Sequence, residues 1–218
     1  MLQRVSGVIL AGGASRRMGR NKALLELEGR PLIARIAERL RSVADEVIIV
    51  ADDTRHYEPY ADRCVPDLYR GVGTLGGIHA GLQAATHDLV LIVGCDMPFL
   101  RPDLLDWFVR TARNPNGTGQ ADLVILKHES GVEPLHAVYR RTCLPVIEAT
   151  IQSGERCAFA FYDQIQVRYV APAEIRPLDP DLTSFRNINT PGQWHQVLHH
   201  LQSPHREPSA GESHNPHG

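Results

Sequence analysis

Apolar positions along the chain fall into short runs alternating with helical periods. Val5 to Leu10 is a short apolar stretch that reads as a buried strand. Leu24-Leu25-Glu26-Leu27-Glu28 alternates, and Gly29 then marks a turn. Pro31 suits the first turn of a helix, and Leu32, Ile33, Ile36, Leu40 and Val43 follow at helical spacing. Glu46 to Ala51 holds a second buried strand and Arg63 to Val65 a short third one. Gly71 to Gly77 is a glycine-rich loop, followed by a small-residue helix over Ile78 to Ala85. The most apolar strand lies within Asp88 to Gly94 and runs into Cys95-Asp96-Met97-Pro98. A helix from Pro102 to about Ala112 puts Leu104, Leu105, Phe108 and Val109 on one face.

Strands and helices alternate up to this point, which implies a parallel sheet covered on both faces. Residues 113–120 read as a loop. Strands are then predicted at 122–127, 135–139 and 166–170, and helices near 142–152 and 191–201. Their order is less regular, so a mixed edge to the sheet is expected. The stretch 203–218 has almost no apolar residue and is expected to be a disordered tail on a single domain spanning 1–202.

A length of 218 residues suits one domain with a substantial core. The net charge of −2 argues against a dedicated nucleic-acid binder, which shows a basic patch or stripe. Cys64, Cys95, Cys143 and Cys157 form no C-x-x-C pair and are expected to be reduced and mostly buried. The apolar runs are strand-length, too short for a membrane helix, and a cytoplasmic location is the default. His195 and His199 have an i, i+4 spacing that metals use, but no third ligand is indicated and a solvated helix face is the better reading.

In open α/β sheets ligands bind outside the carboxyl ends of the strands. Three features fall there: the loop from Leu10 to Lys22, the 71–77 loop, and Asp96. In the first, Gly12 and Gly13 allow close backbone approach, and exposed N–H groups make an anion cradle. Arg16, Arg17 and Lys22 add positive charge suited to phosphate. The loop matches neither G-x-x-x-x-G-K-[ST] nor G-x-G-x-x-G, so a P-loop and a dinucleotide fold are disfavoured. Asp96, at the end of an apolar strand, has the oxygen chemistry of a Mg²⁺ ligand, which is favoured over the alternative of a turn or helix-cap aspartate. Gly76 and Gly77 open a helix N-terminus able to receive phosphate, or serve close helix–sheet packing. Asp67 is placed to bond a base edge or ribose hydroxyl. Thr190-Pro191 reads as N-cap and first helical residue, and Asn187 and Asn189 share one side if extended, where they could face the site.

Leu10-Ala11-Gly12-Gly13-Ala14-Ser15-Arg16-Arg17-Met18-Gly19, with Lys22 and Leu24-Leu25, resembles the signature of nucleotidyltransferases that use a nucleoside triphosphate. The further segments Gly73–Gly77, Cys95–Phe99, Glu133–Tyr139 and Asn187–Pro191 make the chain look most like molybdenum cofactor guanylyltransferases, over residues of about 5 to 201. The resemblance implies a three-layer α/β/α Rossmann-like nucleotidyltransferase fold, mostly parallel with a mixed edge. It implies transfer of GMP from GTP to Mo-molybdopterin with release of pyrophosphate. Leu10, Ala11, Gly12 and Gly13 match the family's GTP loop, and Lys22 its phosphate-binding lysine. Asp67 and Asp96 match its GTP-contacting aspartates, and Asp96 its Mg²⁺ ligand. Val50 departs, standing where some members carry Asn, and Thr74 stands where Pro is common. Expected partners are GTP, Mo-molybdopterin and, among proteins, cofactor insertion proteins or the chaperones of recipient molybdoenzymes; no nucleic acid or membrane is expected.

The chemistry follows from the substrates. An anionic phosphate oxygen attacks the α-phosphorus in line, so positioning and charge neutralisation dominate over general base catalysis. Lys22, Arg17 and Asp96 are the expected catalytic residues, with Lys22 and Arg17 stabilising pyrophosphate. A cytidylyltransferase acting on the same cofactor is the nearest alternative, but those sisters favour Ala-Ala-Gly where this chain has Ala11-Gly12-Gly13. A nucleotide-binding module without catalysis is the alternative of a different class, and Lys22 and Asp96 speak against it.

Overall fold

The structure is a computed structural model that describes residues 3–12, 21–113 and 120–202. In the first half of the chain come β1 (Val5–Leu10), a hairpin of β2 (Glu26–Leu27) and β3 (Arg30–Pro31), α1 (Leu32–Arg41), β4 (Glu46–Val50), β5 (Arg63–Val65), α2 (Thr74–Ala84) and β6 (Leu89–Gly94). Then follow α3 (Pro102–Arg113), β7 (Leu123–His128), β8 (Gly131–Arg140), α4 (Leu144–Gln152), β9 (Val167–Val170), α5 (Pro172–Ile175) and α6 (Pro191–Gln202).

Seven strands make the central sheet in the order β5-β4-β1-β6-β8-β7-β9. Strands β1, β4 and β6 are apolar almost throughout because helices cover both of their faces. Alternate residues divide between two cores. Val5, Ile9, Val47, Ile49, Leu91 and Val93 pack with α1 and α3, while Val8, Leu10, Ile48, Val50 and Ile92 pack with α2 and α4. In α1, Ile33, Ile36 and Leu40 are fully buried, each contributing roughly 1.5–3 kcal/mol of transfer free energy. Among the described residues no helix is long and apolar enough to cross a membrane.

The fold is a mostly parallel α/β sheet, and the expected irregularity takes a specific form. The single antiparallel strand of the sheet is β8, and it lies between β6 and β7 rather than at the rim. The edge strand β9 pairs parallel with β7. The β2–β3 hairpin turns on Glu28 and Gly29, both at positive φ (52° and 73°), the geometry of a two-residue turn that matches strand twist. Pro31 therefore ends β3, immediately before α1, instead of lying inside the helix.

Helix α2 starts four residues before the position its sequence pattern predicts. The helix begins at Thr74, so Gly76 and Gly77 are buried helical residues and not loop. The small side chains had hidden the helix, because Gly favours no regular element. The loop reading survives only to Gly73, with Gly71 and Gly73 at positive φ (83° and 79°). The four cysteines are free, but only Cys143 is fully buried and the other three are half-buried, so burial was overestimated. The expected disordered tail at 203–218 and most of the 113–120 loop lie outside the described residues.

Candidate active site

Sheet hydrogen bonding runs one residue past the ends of three strands. Ala11 N donates to Val50 O at 2.8 Å, Ala51 N to Val65 O at 3.0 Å, and Cys95 N to Leu10 O at 3.1 Å. The chain segments at Gly12, Asp52 and Asp96 therefore leave the sheet side by side. Beside them opens a cleft of 700 Å³ whose walls include Leu10, Gly12, Val50, Asp52, Asp67, Arg70 and Thr74. That size suits a nucleotide-scale ligand.

Asp67 follows β5 and is held by an Asx-type bond from Tyr69 N to Oδ1 at 2.8 Å. Its carboxylate lies against the first turn of α2: a Cβ on Gly76 would stand 2.8 Å from Asp67 Oδ2. Gly77 likewise faces Leu10 Cδ1, 3.0 Å from where its own Cβ would be. These two glycines thus serve close packing, which includes seating a site carboxylate. Leu10 contributes both to the core and to the cleft wall, while Ala11 packs toward the α1 and α3 side.

Lys22 opens a short 3₁₀ turn, Lys22–Leu24, capped by Asn21, whose Oδ1 accepts from Ala23 N at 3.1 Å. Asn21 Nδ2 also donates to the Tyr57 hydroxyl at 2.7 Å, which fixes the turn to the segment after β4. Lys22 Nζ donates to Asn189 Oδ1 at 3.0 Å and stands 3.8 Å from Asp96 Oδ2. Ile188 N donates to the Asp96 main-chain oxygen at 2.9 Å. Ile188 and Asn189 thereby tie their segment to Asp96 and Lys22, while Asn187 Oδ1 is buried without a hydrogen-bond partner among the described residues. Thr190 caps α6 in a capping box: its Oγ1 accepts from Gln193 N at 3.2 Å, and Gln193 Oε1 accepts from Thr190 N at 3.0 Å.

Asp96 is two-thirds or more shielded, with a side chain 21% exposed. Burial pushes its carboxyl above the ordinary value, and the Lys22 ammonium only partly offsets this. The seat is tight, since a Cβ on Gly94 would lie 2.7 Å from Asp96 Oδ1. A shielded carboxylate held without a close salt bridge has capacity for a cation. Among the described residues no group of three or more His, Cys, Asp or Glu side chains could hold a metal. A divalent cation at Asp96 would take one carboxylate from the protein and the rest of its shell from water and substrate oxygens. The neighbouring Cys95 thiol is pushed up to about 12 by burial and then by the Asp96 charge, so it is no nucleophile.

The structure brings together Leu10, Gly12, Lys22, Asp67 and Asp96 at one sheet edge. Gly13, Arg16 and Arg17 lie outside the described residues. Sequence reasoning missed Tyr57, which lies in a turn-rich stretch, and Asp52 and Arg70 in the cleft wall. No spacing signal marks them; the convergence of β4, β5 and β1 does. His195 and His199 are exposed on α6, and His195 Nδ1 is 2.8 Å from Pro191 O.

Residues 7–167 match the family model of the MobA-like NTP transferase domain. A molybdenum cofactor guanylyltransferase of Desulfosudis oleivorans is 40% identical over 187 residues, covering 85% of this chain and 90% of that one. The crystal structure of molybdopterin-guanine dinucleotide biosynthesis protein A from Archaeoglobus fulgidus superposes with a TM-score of 0.77 at 28% identity, covering 90% of this chain and 98% of that one. The 4-diphosphocytidyl-2C-methyl-D-erythritol synthase of Anaerococcus prevotii, at 17% identity and a TM-score of 0.67 over 92% of this chain and 97% of that one, shares the fold alone. With that family model spanning residues 7–167 and a guanylyltransferase relative 40% identical over most of both chains, the chain belongs to the MobA-like NTP transferase family.

Proposed function

We propose that this enzyme transfers GMP from GTP to Mo-molybdopterin, releasing pyrophosphate and forming the guanine dinucleotide cofactor. The observation that carries the reading is the Lys22–Asp96–Asn189 cluster; its Asp96 follows Cys95, whose N–H donates to the main-chain oxygen of Leu10 in the wall of the nucleotide-sized cleft. The activity named for the relatives supports the choice of substrates.

Asp67, Asp52 and the Gly12 backbone line the cleft for base and ribose. Guanine presents two adjacent donors on one edge, which a carboxylate accepts. Lys22, with Arg17 and Gly13, would hold the triphosphate. Asp96 would hold a Mg²⁺, which would supply charge neutralisation of the phosphates. An acceptor phosphate oxygen forms the new bond to the α-phosphorus. The bond from the α-phosphorus to its bridging oxygen breaks, and the electron pair leaves with pyrophosphate. The attacking phosphate oxygen is already anionic, so no proton needs to be removed. A cytoplasmic site of action and delivery to cofactor insertion proteins or molybdoenzyme chaperones belong to the same proposal.

The test is product identification with purified protein, GTP, Mo-molybdopterin and Mg²⁺. The guanine dinucleotide and one pyrophosphate per product are expected, with loss on chelation and recovery on adding Mg²⁺. Pyrophosphate without dinucleotide would refute the acceptor assignment.

A further inference from the structure

Tyr57 is a buried aromatic, 3% exposed, to which the chemistry above gives no role. It packs in the same core as Ala23 and Leu27, which follow Lys22 in the chain. Its hydroxyl accepts from Asn21 Nδ2 at 2.7 Å. The orientation of that amide is set by its other partner. Ala23 N can only donate, so it takes Asn21 Oδ1, at 3.1 Å, and leaves Nδ2 to face Tyr57. Burial raises the phenol above its ordinary value, so the hydroxyl stays neutral.

The bond joins two segments that serve different parts of the site. Asn21 caps the 3₁₀ turn Lys22–Leu24, and Leu24 N to Asn21 O and Leu25 N to Lys22 O, each 3.2 Å, close it. Lys22 is thus held at its backbone by the capped turn and at its ammonium by Asn189. Tyr57 lies at the far end of the segment that leaves β4. That segment begins at Ala51, bonded to Val65 O, and carries Asp52 and Asp53 in the wall of the nucleotide cleft. Arg55 Nε and Nη2 each reach the Asp53 carboxylate at 2.9 Å, and Tyr57 N donates to Thr54 O at 2.9 Å, which braces this wall. A lysine is a point charge on a flexible stem, so the place of its ammonium depends on how both ends of the side chain are held.

We infer that Tyr57 is a positioning residue for Lys22: through Asn21 it sets the root of the lysine against the Asp52–Asp53 wall, so that the ammonium meets the triphosphate of a nucleotide seated in the cleft. The inference rests on the proposed role of Lys22 toward GTP and adds what keeps that lysine in register with the opposite wall. Tyr57 is buried and does not line the cleft, so its effect reaches the nucleotide by way of Asn21 and Lys22. Loss of the hydroxyl alone leaves the ring and its packing in place and removes one hydrogen bond behind the cap.

Calorimetric titration with GTP and Mg²⁺, without any acceptor, tests this in a double-mutant cycle of Tyr57→Phe and Lys22→Ala. Tyr57→Phe is expected to weaken GTP at least about threefold, within the range of one neutral hydrogen bond. In the Lys22→Ala background the same change should alter the affinity by less than about twofold, because the group it positions is gone. A tyrosine that only supports the fold or the cleft wall would weaken GTP by the same factor in both backgrounds. Asn21→Ser keeps an oxygen for the cap but cannot reach Tyr57, and should match Tyr57→Phe in both. A loss under about threefold in the native background, or one of about twofold or more without Lys22, would overturn the positioning role. So would a Tyr57→Phe loss that Asn21→Ser does not share. Wild-type protein that binds no GTP would overturn the nucleotide reading and this role with it. Wild-type protein that binds GTP but makes no dinucleotide would overturn the guanylyl transfer alone, and the cycle would still decide the role of Tyr57.

Discussion

Lys22 Nζ lies 3.8 Å from Asp96 Oδ2, near enough to attract the carboxylate but too far to hydrogen bond to it. Asn189 takes the close bond to the lysine instead. Asp96 therefore carries a charge that the fold shields but does not fully pair. A carboxyl whose folded pKa is raised binds its proton more tightly in the native state, so stability falls as pH rises through that range. Asp96→Asn should consequently raise the melting temperature at neutral pH by a few degrees while lowering turnover by about 10²–10³ or more. Calorimetry and pyrophosphate release measure the two effects. Equal melting temperatures at neutral pH, or near-wild-type turnover, would contradict the assignment.

Two carboxylates of the site each rest on a glycine, Asp67 on Gly76 and Asp96 on Gly94. Adding a methyl at either position must displace the carboxylate, and the two displacements should read out differently. Gly76→Ala is expected to raise KM for GTP with a smaller effect on kcat. Gly94→Ala should lower kcat by at least about tenfold, the scale of a misplaced catalytic contact. Kinetics of both variants, with melting curves to confirm folding, would separate base binding from catalysis.

Removing the Asn189 amide should loosen Lys22 without removing its charge. Asn189→Ala is expected to lower kcat by about tenfold, less than Lys22→Ala, which loses the charge as well. If the two variants are equal in kcat, Asn189 does more than orient the lysine.

The sheet was legible because β1, β4 and β6 are buried on both faces and so appear as continuous apolar runs. The strand-end positions of Gly12 and Asp96 followed directly. The N-terminal limit of α2 was not legible, because Thr74-Leu75-Gly76-Gly77 reads as a loop by composition and is helical only through packing on Leu10 and Asp67. The interior place of β8 was also hidden, since a two-residue connection between β7 and β8 fixes that they pair, while nothing local fixes which of them meets β6. In the site, Lys22 and Asp96 announced themselves by motif. Their bonds to Asn189 and Ile188 span the sheet and depend on chain segments about 90 to 170 residues apart, beyond what spacing alone encodes.

Acid unfolding should begin at His136. It is fully buried on β8, with its ring 4.3 Å from that of Phe185, and burial lowers its pKa to about 4. The unfolded chain takes up that proton near the ordinary value of 6.5, so stability present above 6.5 is lost as pH falls toward about 4. At Glu46, burial opposes ionisation but hydrogen bonds from Ser6, Thr86 and Arg63 outweigh it and hold the pKa at about 2. Its contribution is present above 4.5 and lost between there and about 2. Denaturant titrations across this range should show His136→Phe flattening the upper part. Glu46→Gln should cost about 2 kcal/mol at neutral pH, with the difference vanishing near pH 2.

The most direct measurement is a four-way nucleotide comparison. Protein, Mo-molybdopterin and Mg²⁺ are incubated with GTP, CTP, ATP or UTP, and the dinucleotide formed and the pyrophosphate released are measured for each. Guanylyl transfer predicts the guanine dinucleotide at a kcat/KM well above those of the other three. A preference for CTP would contradict it while leaving the fold and the Lys22–Asp96 cluster in place.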